Sequence, residues 1–127
     1  SKDAPGLIAD VLVYTPKAIA AKPTEISVVI KAYLDGMAYI KAKPDDAAKL
    51  IGKFMGVSAK EVKEQWAGVY NIPLAEMPKA FLPAKETTSY YASGEVIGTL
   101  LKAKGQIKAL PPAESTFDGS IVKSLVK

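Results

Sequence analysis

Three side-chain chemistries are missing from this chain: it contains no cysteine, no histidine and no arginine. Without cysteine there is no disulfide and no thiolate ligand for a metal. Without histidine or cysteine there is no Ser-His-Asp triad, no cysteine nucleophile and no ordinary zinc site. Without arginine the bidentate contacts and stacking by which proteins read guanine are lost, and lysine substitutes poorly for either. All 17 basic residues are lysines, interleaved with 13 acids for a net charge of +4. A solvated lysine surface is expected, not a nucleic-acid groove. Long apolar runs are also lacking. Even the longest, such as Val11–Tyr14, fall far short of the roughly 20 residues of a membrane helix. Neither a tandem repeat nor a G-x-G-x-x-G pattern occurs, and no basic, apolar leader stands at the amino end, so a signal peptide is not expected within residues 1–127.

What is present is one domain's worth of sequence, 127 residues with 49% apolar and 24% charged side chains, in the range of ordinary globular proteins. Residues 1–127 are expected to form a single domain or a fragment of one. After Pro5-Gly6, the run Ile8–Tyr14 has strand composition, apolar on both faces except for Asp10, as in a strand covered on both sides of an α/β sheet. Almost everything after it has helical character. Thr15 suits an N-cap with Pro16 at the first helical position. Pro23-Thr24 opens an amphipathic helix in which Ile26, Ile30, Tyr33, Met37 and Ile40 share a face to about Ala42. Pro44 starts the next helix, with Asp45-Asp46 at its positive end and Gly56 as its stop. Ser58-Ala59-Lys60-Glu61 has capping-box spacing and begins a third. Pro73, Pro78 and Pro83 forbid a long helix between Tyr70 and Lys85. A last long helix is expected from Thr87 or Thr88 to Gly105, then a proline loop and a short terminal helix capped by Asp118. The apolar stripes predict burial of Ile26, Ile30, Met37, Leu50, Ile51, Phe54, Val62, Trp66, Ile97 and Leu101.

Candidate chemistry is sparse. Asp45 and Asp46 diverge by about a hundred degrees on a helix, so a role toward the helix dipole fits better than a catalytic carboxylate pair. Gly94 and Gly98 suit close helix packing and form no phosphate loop. Tyr33, Tyr39, Tyr90, Tyr91 and Trp66 fit a core or its edge, or the lining of a ligand pocket. Asp10 is the one acid inside an apolar strand, where burial is unfavourable unless something pairs with it. It is either an edge or lysine-paired residue, or a ligand contact.

The ordered pieces resemble a family. Asp10-Val11-Leu12-Val13, Pro23-Thr24-Glu25-Ile26, Tyr39-Ile40-Lys41-Ala42-Lys43-Pro44-Asp45-Asp46-Ala47 and Gly56-Val57-Ser58 are similar to the carboxy-terminal half of extracytoplasmic solute-binding proteins of ABC importers. The nitrate, taurine and alkanesulfonate type, which also includes thiamine-pyrimidine binders, is the nearest subgroup. "LLKAKGQIKALPP" and "FDGSIVKSL" match its closing helices; Lys43 departs from the family's usual asparagine before Pro44. The resemblance implies an α/β fold, the carboxy-terminal part of a type II periplasmic binding protein, mostly helical with one amino-terminal strand. It implies a non-enzymatic protein without cofactor or metal, located in the periplasm or otherwise outside the cytoplasm, and lipid-anchored if its full-length precursor carries an anchor. Its partners would be a small anionic or zwitterionic solute and a membrane permease, not nucleic acid, with Asp10 near the solute. The other lobe would lie upstream, and the isolated chain, with its strand unpaired, is expected to form a homodimer. The alternative is a standalone helical interaction or sensor module.

Overall fold

The computed structural model describes residues 4–126, which hold eight helices and no strand. They are α1 (Pro16–Ala21), α2 (Pro23–Ala42), α3 (Pro44–Met55), α4 (Ala59–Trp66), α5 (Met77–Ala80), α6 (Tyr90–Ala103), α7 (Ala113–Thr116) and α8 (Ser120–Leu125). The expected α/β architecture is therefore corrected: the regular structure of the described residues is all helix, with no sheet, and Ile8–Tyr14 is irregular. The reason is that a strand is held by a ladder of hydrogen bonds to a neighbour. Residues 8–14 make no backbone hydrogen bond among the described residues. Their apolar side chains stand in solvent, with Ile8 84% and Val13 83% exposed.

The chain divides into two compact units, Lys22–Ile72 and the flanking residues up to Ala21 and from Pro73 onward. In the first, α2 packs on α3 and α3 on α4. Proline sits in the first turn of both α2 and α3, where its missing N–H has no intrahelical partner to lose. Asp45 and Asp46 occupy the first turn of α3, Lys53 its last, and Gly56 ends it at φ 74°, all in accord with the sequence. The buried centre is made of Ala47, Ala48 and Gly52 of α3 with Ile26 of α2 and Val62 of α4. Of the bulky stripe, Ile26 and Val62 are buried, and Ile30, Met37, Ile51 and Trp66 half-buried. Leu50 and Phe54 were expected inside and are instead exposed, Phe54 at 93%. The helices meet through alanine and glycine, which leaves the larger side chains of α3 outside the contact.

The Ser58 cap forms as its spacing predicts. The Glu61 N–H donates to Ser58 Oγ at 3.2 Å, and the Ser58 N–H donates to Glu61 Oε2 at 2.8 Å. The Ser58 hydroxyl and N–H both donate to the Glu61 carboxylate and hold its pKa below the ordinary value. Ser58→Ala is expected to destabilise this unit by about 1 kcal/mol. Because the folded-state pKa of Glu61 is lowered, its contribution is present above the ordinary glutamate range and is lost as pH falls through the folded value. Acid titration of α4 amide exchange should show that loss, and Glu61→Gln should remove that part of the pH dependence.

In the other unit, α6 packs on α7 and α5 on α8. Thr15 caps α1 by accepting from the Ala18 N–H at 3.1 Å. The N-cap of α6 is Ser89, not Thr87 or Thr88. Rings of Phe81, Tyr90 and Phe117 gather with centroids 5.0 and 5.4 Å apart in successive pairs. Gly94 and Gly98 serve close packing: a Cβ at Gly94 would lie 2.9 Å from the Phe117 ring, and one at Gly98 3.3 Å from Leu110. Leu101 is half-buried, while Ile97, expected inside, is 40% exposed beside Val96 and Leu100. Gly105 closes α6 in the left-handed region at φ 69°. Asp118 accepts from the Ser120 N–H at 2.8 Å at the start of α8, but the N-cap position of that helix is Gly119, not Asp118. The one-turn helices α5 and α7 arise in proline-rich stretches that carry no helical periodicity.

Candidate functional site

Asp10 lies in the irregular run and is exposed, with no hydrogen bond or ion pair among the described residues. The lysine partner weighed for it is not formed. Nor is the carboxylate desolvated, so the unfavourable burial that singled it out does not arise in this chain. Its neighbours Val11 and Leu12 are 54% and 59% exposed.

The aromatic residues divide between the units. Tyr90 and Tyr91 are half-buried in the ring cluster, and Trp66 is half-buried at the end of α4. Tyr33 and Tyr39 instead line an open groove of about 330 Å³ between α2 and α3, with Met37, Ile40, Leu50 and Ile51. The Tyr33 hydroxyl donates to Asn71 Oδ1 at 3.0 Å. Lys43 Nζ sits 5.7 Å from the Tyr39 ring centroid, within range of a cation–π attraction. A recognition site for a small anion needs converging donors or charges, and this groove offers apolar walls and two phenols. It fits an apolar surface of another polypeptide better than an ion.

A second hollow, about 320 Å³, lies between α3 and α4 and is lined by Asp45, Lys49, Ala59, Lys60 and Lys63. Lys63 contacts the Asp45 carboxylate. That hydrogen bond first, and the charge of Lys63 next, lower the pKa of Asp45. Lys60 and Glu64 pair across one turn at 3.8 Å. The sequence did not single out this cluster; Asp45–Lys49 and Lys60–Glu64, each four apart, were its only local signal. With these side chains largely in water, their attractions are weak and screened by salt. Asp45 and Asp46 both sit in the first turn of α3, and Asp45 is bound to Lys63.

Among the described residues no group of three or more acidic, histidine or cysteine side chains is placed to hold a metal. No described helix is long and apolar enough to cross a membrane. Comparison with protein-family models, curated proteins and solved structures finds no match to this chain. The likeness to solute-binding proteins rests on the ordered residues themselves.

Proposed function

We propose that this chain is part of the solute-binding component of an ABC importer, working outside the cytoplasmic membrane. The component takes up a small anionic or zwitterionic solute of the nitrate, taurine or sulfonate kind and delivers it to a permease. It binds and releases; it does not catalyse. Support comes first from the motif series, whose landmarks coincide with helix boundaries: Pro23 and Pro44 open α2 and α3, and Gly56-Val57-Ser58 is the turn into α4. The observation that carries the reading furthest is the uncovered apolar surface. Ile8, Val11, Leu12 and Val13 project into solvent beside unpaired backbone, and Val28, Leu50 and Phe54 are likewise exposed. Apolar surface on this scale marks a place where other polypeptide belongs, as it would if further lobes completed the solute cleft.

Calorimetry on the full-length precursor tests the reading. Saturable binding of nitrate, taurine or an alkanesulfonate is expected there, and none to isolated residues 1–127. Asp10→Ala should weaken binding more than tenfold and leave the melting temperature of the ligand-free form unchanged, because the side chain makes no hydrogen bond or ion pair among the described residues. A precursor that binds none of these solutes overturns the proposal. Normal binding by the variant removes Asp10 from the site. The all-helical structure favours a second reading, a helical interaction module, which predicts no solute binding by any form.

A further inference from the structure

The run Ile8–Tyr14 combines three properties. Its backbone donors and acceptors are unused within the chain among the described residues. Apart from Asp10 its side chains are apolar; Ile8, Val11, Leu12 and Val13 are exposed and Tyr14 is half-buried, and most of them favour a strand. And it is tethered at both ends. On one side the Thr87 hydroxyl donates to the Pro5 carbonyl at 2.7 Å, and Gly6, at φ 82°, lies so close to Thr87 that a Cβ would meet its carbonyl oxygen at 2.6 Å. On the other side Thr15 caps α1. A run pinned at both ends has less freedom to lose on pairing than a loose tail.

We propose that Ile8–Tyr14 is a self-pairing segment that forms an antiparallel two-stranded ladder with the same run of a second copy, Val11 opposite Val11 across a two-fold axis. No strand exists in the single chain; the ladder belongs to the pair. The register follows from parity and charge. Two identical antiparallel strands share a perpendicular two-fold only if opposed positions sum to an even number, since side chains alternate faces. Setting Asp10 against Asp10 opposes like charges and is unfavourable. Centring on Leu12 drives Ile8 against Pro16, which has no N–H to give. Centring on Val11 pairs all seven residues: Ile8 with Tyr14, Ala9 with Val13, and Asp10 with Leu12. In-register parallel pairing stacks Asp10 on Asp10 and is disfavoured on the same ground. The second copy is thus a partner whose fit is written into the run. This pairing belongs to residues 1–127 by themselves and is an alternative to cover by a further lobe, so the inference does not rest on the solute reading.

The absence of cysteine makes the test direct, because each introduced thiol is the only one. The 127-residue chain is used without solute, as Val11→Cys, Ala9→Cys and Val13→Cys. Under mild oxidation Val11→Cys is expected to yield a disulfide-linked dimer at least tenfold faster than either other variant alone. An equimolar mixture of Ala9→Cys and Val13→Cys should crosslink well above either variant alone, through the heterodimers that make up about half of the pairs. Sedimentation equilibrium of the unmodified chain should show dimers that weaken at least tenfold in Val11→Lys, with unchanged helical circular dichroism. Equal crosslinking of all three single variants indicates parallel or random contact and overturns the proposal. So does a chain that sediments as a monomer throughout the micromolar range.

Discussion

Gly52→Ala is expected to destabilise the Lys22–Ile72 unit, and Gly36→Ala to stabilise it. Both glycines lie inside helices, α3 and α2 respectively, where alanine is favoured over glycine by about 0.5–1 kcal/mol. Space decides the sign. A Cβ at Gly36 meets nothing within 4 Å, so the helix gain stands alone. A Cβ at Gly52 would lie 2.6 Å from the Val57 carbonyl oxygen and 3.4 Å from the Ala59 nitrogen. Those are backbone atoms at the start of α4 and cannot swing aside as a flexible side chain can. The added methyl must push α4 off α3, disturbing Val62, 1% exposed, and the Ser58 cap. Overpacking of this kind costs about 1–3 kcal/mol, occasionally more, which exceeds the helix gain. Amide exchange in α4 checks it. Faster exchange in Gly52→Ala and slower in Gly36→Ala is expected, and protection gained in Gly52→Ala would refute the close approach.

In the other unit Ser89→Ala is expected to lower stability by about 2 kcal/mol, the sum of a lost helix cap and a lost buried hydrogen bond. Ser89 is only 2% exposed. Its hydroxyl donates to the Leu82 carbonyl at 2.6 Å and accepts from the Tyr91 N–H at 3.2 Å. One side chain thus starts α6 and anchors the preceding loop. Ser89→Thr keeps the hydroxyl and should recover most of the loss. Amide exchange in α6 reports this, and equal effects of both substitutions would mean that the hydroxyl contributes little.

The helix boundaries were legible because their causes are local. Pro16, Pro23 and Pro44 open helices, Gly56 and Gly105 close them, and Ser58 and Glu61 satisfy each other within one turn. The N-cap of α6 was less so: Thr87, Thr88 and Ser89 all qualify by type, and the choice depends on Leu82 arriving from an earlier turn. The strand was misjudged because strand formation is a property of a pair. Ile8–Tyr14 has the composition, and the described chain supplies no neighbour. Burial of Leu50, Phe54 and Ile97 was misjudged because periodicity assigns a face without saying what covers it. At α3 the helices meet through Ala47, Ala48 and Gly52, and the larger residues remain outside. For the candidate site, Asp10 was visible only by type; the α2–α3 groove and the lysine hollow needed three-dimensional neighbours.

The single tryptophan, Trp66, lies in the Lys22–Ile72 unit. Indole fluorescence during denaturation therefore follows that unit alone, while far-ultraviolet ellipticity follows the helices of both. With two compact units there is no requirement that the two signals move together. A fluorescence midpoint describes α2, α3 and α4 and leaves the aromatic cluster of Phe81, Tyr90 and Phe117 optically silent. Read side by side, the two spectroscopies measure how far the units melt as one.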